Sequence, residues 1–151
     1  MPCRKEEADL KANSIVDVHL LIWQGDKLLL QLRQNTGYGD GSYHLPAGHL
    51  EEGETVLEAS CREALEELGI VIASTDLNFN YLLHQHSSGS RIGLFFGVNC
   101  WSGVPKIQEP DKCEELAWFS SRSLPTNMIP YARHALKEIE LGRTLGVFGW
   151  S

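Results

Sequence analysis

Cysteine is scarce and badly placed for chemistry: four residues, Cys3, Cys61, Cys100 and Cys113, spread along 151 with no C-x-x-C pair. That argues against a zinc knuckle or a dithiol redox motif and for reduced thiols in a cytoplasm. Basic residues are also in short supply. Thirteen Lys and Arg against 20 Asp and Glu leave a formal charge of −7, which argues against a nucleic acid polymer as partner, because phosphate contacts need clustered cations. Long apolar runs are missing, so no bilayer-spanning segment is expected. The start, MPCRKEEAD, lacks the apolar core of a signal peptide. Internal repeats and low-complexity tracts are absent too.

What remains is the composition of an ordinary globular protein, 42% hydrophobic and 22% charged. Its length suits one domain with a real core. Residues 1–13 read as a flexible arm and 14–151 as a single domain. SIVDVHLLIW (14–23) and KLLLQLR (27–33) read as strands of a hairpin turned at Gln24-Gly25-Asp26. Residues 34–42 hold three glycines and form a loop. LNFNYLLHQH (77–86) and RIGLFFGVNCW (91–101) are strands joined at Ser87-Ser88-Gly89-Ser90, and CEELAWF (113–119) is another. A helix is expected over Tyr131–Leu141 after Pro130. Residues 144–150 are a last strand or a tail. About six strands and two helices make an α+β or α/β protein. His19 reads as a core or half-buried residue. His84 and His86 point to one side of a strand and would be a metal pair only with a third ligand.

The most informative stretch is Gly48–Ile70. Gly48 and Gly53 bracket a polar turn, Thr55 caps a helix with Glu58 three residues on, and Gly69 ends it. At about 100° per residue, Leu57, Cys61, Ala64 and Leu68 share a core face. Glu63, Glu66 and Glu67 share a solvated one, flanked by Arg62. Like charges so close repel. They form either a plain acidic face or oxygen ligands for a hard divalent cation.

Spacing adds more. Gly48, five residues, Glu54, seven residues, Arg62-Glu63, a small aliphatic residue, one residue, Glu66-Glu67, one residue, Gly69, Ile70: this resembles the Nudix box of MutT-like hydrolases over all 23 positions. The entry Tyr43-His44-Leu45-Pro46-Ala47-Gly48 is similar to the family's aromatic-x-x-Pro-Gly-Gly. Tyr43 stands where Trp is common, and Ala47 replaces a glycine. The resemblance implies an α/β/α sandwich with a mixed β-sheet. It also implies hydrolysis of a phosphoanhydride bond by metal-activated water, with Mg²⁺ as cofactor and Mn²⁺ as a substitute. Glu63, Glu66, Glu67 and the Gly48 carbonyl become the expected metal ligands. Glu54 folds back to orient Arg62 or Glu63, and the base is Glu63 or a later acid, Glu115 or Glu114.

Arg33 and Arg91 read as phosphate clamps or as plain surface charges, Tyr38 and Tyr43 as stacking faces or as packing residues, and Asn127 as a reader of a base edge. The family's markers for ADP-ribose (a later Pro) and dinucleoside polyphosphates (a later Tyr) are missing, since no Pro occurs between Pro46 and Pro105 and Tyr81 comes too early. Residues 127–133 hold no acid to pair with an oxidised guanine. A nucleoside triphosphate, or another nucleoside diphosphate derivative, is left as the small-molecule partner. Apolar Met128 and Ile129, with the flat face of Tyr38, imply stacking and loose base choice. A cytoplasmic monomer or homodimer is expected. The rival readings are a fold-sharing isomerase, for which no Cys-His motif is present, and a non-catalytic nucleotide-sensing domain.

Overall fold

The computed structural model describes residues 10–151, so most of the expected arm, with Cys3, lies outside the described residues. These residues form eight strands, two α-helices and one short 3₁₀ turn at Ser74–Asp76. The strands are β1 (Ile15–Gln24), β2 (Lys27–Arg33), β3 (Tyr43–His44), β4 (Ala47–His49), β5 (Asn78–His86), β6 (Ser90–Val98), β7 (Cys113–Ser120) and β8 (Leu145–Phe148). Helix α1 is Val56–Leu68 and α2 is Pro130–Glu140. Two strands, β3 and β4, exceed the expected six. At two and three residues they are too short for alternation to show.

β1 is the hub. It runs parallel to β6 on one side, pairs antiparallel with β4 on the other, and turns into β2 at its end. β5 is antiparallel to β6 and parallel to β8, while β2 carries β3 and β7. The mixed sheet has helices on both faces. Val18, Leu20 and Ile22 point to the α1 side, packing with Ala59, Ala64 and Leu68. Leu21 points to the α2 side, with Leu83, Phe95, Ala132 and Ala135. Period-2 alternation on a doubly covered strand explains why β1 is apolar nearly throughout. The expected α/β/α sandwich is therefore present.

Two expectations need correction. The buried stripe of α1 is Ala59, Ser60, Glu63, Ala64 and Leu68, while Leu57 is 38% exposed. The helix is rolled so that Glu63 faces inward. That roll depends on Gly48, where any Cβ would fall on the Glu63 carboxyl group. Second, Met128 and Ile129 are core residues under α2. Backbone bonds from Tyr43 N to the Asn127 carbonyl (2.7 Å) and from Ile129 N to the Tyr43 carbonyl (2.9 Å) stitch the segment to β3.

Candidate active site

Helix α1 is fixed at both ends as expected. Thr55 Oγ1 accepts from Glu58 N at 3.1 Å, and Gly69 adopts φ of 69°, a left-handed conformation that closes the helix onto Leu65 O. This holds Arg62, Glu63, Glu66 and Glu67 against β4. Arg62 organises the group. Its Nε and Nη2 donate to the two Glu54 carboxylate oxygens at 3.0 and 2.7 Å. Nη1 donates to Glu63 at 2.8 Å and Glu66 at 3.2 Å, and Nη2 also to the His49 carbonyl at 3.0 Å. A planar guanidinium suits this fork geometry. Glu54 thus folds back onto Arg62, which holds its carboxyl below the usual range.

Glu67 differs. Its Oε2 accepts from Ala47 N at 3.2 Å, but the Arg62 fork serves Glu54, Glu63 and Glu66. Burial first, then the Glu63 charge, pushes its carboxyl well above the ordinary value. Burial likewise raises Glu63, with Arg62 working against the shift.

These residues line a cleft of about 870 Å³. Six acids line it: Asp17, Glu51, Glu63, Glu66, Glu67 and Glu109. Four bases face them: Arg33, Arg62, Arg91 and Lys112. Arg62 is committed as above. Arg91 is committed to Asp17, through Nε to Oδ2 at 2.8 Å and Nη2 to Oδ1 at 2.9 Å. Arg33 Nε donates to the Tyr38 carbonyl at 2.8 Å, and its guanidinium lies over the Tyr38 ring at 5.7 Å. Asp40 binds Thr36 N (3.0 Å), Thr36 Oγ1 (2.5 Å) and Gly37 N (3.1 Å), so this glycine-rich loop is internally tied.

The expected site residues divide accordingly. Gly48, Arg62, Glu63, Glu66, Glu67, Arg33 and Tyr38 meet at the cleft, with Glu54 behind Arg62. Tyr43, Glu115 and Asn127 do not line it. Tyr43 donates its hydroxyl to Glu115 at 3.0 Å and packs edge-on to Phe119, while Asn127 bonds the Gly41 carbonyl. His84 and His86 pack on Trp150, with ring centroids 4.6 and 5.0 Å away. Sequence reasoning missed Glu109, Asp17, His44, Gln85 and Tyr131 as cleft residues. It also read His19 as a core or half-buried residue, without a place at the cleft. Asp17 and His19 had a signal, two polar residues at alternate positions of an apolar strand. Glu109 had none, because a loop carries no periodicity.

Among the described residues no three Asp, Glu, His or Cys side chains already stand in metal-binding geometry. The donor set nevertheless fits a hard cation. It is all oxygen, and Glu63 and Glu67 carry a like-charge and burial cost that a cation would relieve.

Comparison with known proteins agrees with the geometry. Residues 14–139 match the NUDIX domain family. The 8-oxo-dGDP phosphatase NUDT18 of Mus musculus is 35% identical over 104 residues, covering 68% of this chain but 30% of the mouse protein. The chain thus spans under a third of that relative's length. The RNA pyrophosphohydrolase of Rhizobium meliloti is 31% identical over 144 residues, covering 79% of this chain and 82% of its own. Among solved structures, a MutT NUDIX hydrolase from Burkholderia pseudomallei superposes with a TM-score of 0.76 at 27% identity, over 83% of this chain and 97% of the other. With the box, the fold and the arginine-organised carboxylates in agreement, this chain belongs to the Nudix hydrolase family.

Proposed function

We propose that the chain hydrolyses a phosphoanhydride bond of a nucleoside triphosphate, or of another nucleoside diphosphate derivative, with Mg²⁺ as cofactor. The observation that carries this reading is the cleft's charge. Six carboxylates face four bases, two of them already committed, so a polyphosphate is repelled unless cations enter with it. Glu63, Glu66, Glu67 and the Gly48 carbonyl would hold Mg²⁺, which when bound neutralises phosphate charge and lowers the pKa of water. Mn²⁺ would substitute.

The chain's own residues supply the rest. Arg62 fixes the directions of Glu63 and Glu66, and Glu54 fixes Arg62. Arg33, and Lys112 whose exposed ammonium stands 4.0 Å from Glu109, are the cations within reach of phosphate oxygens, with Tyr38 at the cleft wall beside Arg33. A carboxylate accepts the proton of the attacking water. Glu63 is one candidate. Glu109 is the other, since it lines the cleft and its charge acts on both Glu63 and Glu67. Glu115, the late acid expected from sequence, is tied to Tyr43 instead.

Relatives with RNA in their names include the Rhizobium meliloti protein and the NAD-capped RNA hydrolase NudC of Stutzerimonas stutzeri. With 20 acids to 13 bases, this chain is better suited to a small nucleotide. The intact box acids favour an enzyme over a sensing domain. Phosphate release from a nucleotide panel with Mg²⁺ tests the reading, and a protein that binds nucleotides without turnover would be a sensor.

A further inference from the structure

The wall of the cleft beneath α2 is polar, and the chemistry above does not use it. His19, His44 and Gln85 are each at most 4% exposed, yet all line the cleft with Tyr131. The Tyr131 hydroxyl lies between two imidazoles, 3.1 Å from His19 Nε2 and 2.8 Å from His44 Nε2. One hydroxyl proton serves only one of them, so the other ring must donate its own N–H to the Tyr131 oxygen. The two histidines therefore hold opposite tautomers. His19 Nδ1 has no partner in hydrogen-bond geometry. His44 Nδ1 and Gln85 Oε1 meet no protein partner.

The wall carries no free charge. Burial holds His19 down at about 4 and His44 well below its ordinary value, so both rings are neutral at pH 7. Arg91, the nearby guanidinium, is neutralised by Asp17. A phosphate or sugar acid gains nothing here. A neutral heteroaromatic edge with its own donors and acceptors does. The apolar residues expected to stack on a base, Met128 and Ile129, are packed in the core instead.

We propose that the wall formed by His19, His44, Gln85 and Tyr131 reads the nucleobase by hydrogen bonds, making the protein base-selective. This rests on the nucleotide reading above and reverses the loose selectivity expected from stacking. A site with a fixed donor–acceptor pattern rejects a mismatched edge strongly, because its buried polar groups are left unpaired.

The test is calorimetric titration with AMP, GMP, CMP and UMP in excess chelator, with ribose 5-phosphate as the baseless control. Wild-type protein should bind one nucleotide at least about tenfold tighter than the other three and than the control. Tyr131→Phe, which keeps the ring and removes the bridging hydroxyl, should weaken that nucleotide by about ten- to hundredfold and leave ribose 5-phosphate unchanged. Gln85→Leu, similar in size, should act alike and carries the comparison if Tyr131→Phe does not fold. Four nucleotides within threefold of one another would overturn the proposal, as would variants that weaken every ligand equally. Turnover with Mg²⁺ is scored separately. Unselective binding with turnover removes the wall and keeps the hydrolase, whereas selective binding without phosphate release does the opposite.

Discussion

Glu67→Gln should stabilise the metal-free protein while disabling it. The Glu67 carboxyl is raised by burial and by Glu63, and it accepts one backbone N–H, from Ala47 at 3.2 Å. A glutamine keeps the shape and an oxygen for that bond but removes the desolvated charge. Relief of such a charge contributes about 1–2 kcal/mol, which for a chain of this length raises Tm by about 2–8 °C. The pH dependence follows from linkage. A carboxyl whose folded pKa is raised contributes stability that is full below its ordinary value of 4.5 and is lost as pH rises through the folded value. The gap between variant and wild type should therefore be absent at pH 4 and open as pH rises. Magnesium should reverse the order. Ligand at a hundred times its Kd adds about 2.7 kcal/mol to wild type, and the variant should lose most of that gain, with kcat down about 10²–10³-fold. The assay is thermal melting from pH 4 to 8, in chelator and in Mg²⁺. A variant less stable than wild type in chelator at pH 7, with its Mg²⁺ gain intact, would refute the reasoning.

Other outcomes follow from the same packing. Gly48→Ala places a methyl on the Glu63 carboxyl, so kcat should collapse while circular dichroism stays native. Leu68→Ala, at a fully buried position, should cost about 2–5 kcal/mol in urea unfolding. Leu57→Ala should cost under about 1 kcal/mol; equal losses would mean that the roll of α1 is wrong. Glu109→Gln should lower kcat by more than tenfold if it takes the water's proton, and Glu115→Gln should leave kcat near wild type. The reverse ranking would return the late acid to Glu115.

Much of this was readable from the chain. The box is local: its carboxylates and their arginine lie within two helical turns, and Thr55 and Gly69 mark the helix ends with residue types that do little else. Longer strands showed themselves by β-branched and apolar runs, with β2 starting and stopping where expected. What escaped depends on distant contacts. Glu63 faces inward only because β4 brings a glycine against it. Met128 and Ile129 look like a loose apolar segment until β3 pairs with them. His19, His44 and Tyr131 come from β1, β3 and α2 and share one hydroxyl, a meeting that no local pattern encodes. Arg91 looks like a free cation until Asp17, 74 residues away, is paired with it.

The most direct test of the central claim is phosphorus NMR of a nucleoside triphosphate incubated with the protein and Mg²⁺, then with excess chelator. Monophosphate and pyrophosphate should appear with the metal and stop with the chelator. Full turnover in chelator would contradict the carboxylate–metal reading of Glu63, Glu66 and Glu67, and hydrolysis confined to a sugar nucleotide or a non-nucleoside diphosphate would contradict the substrate.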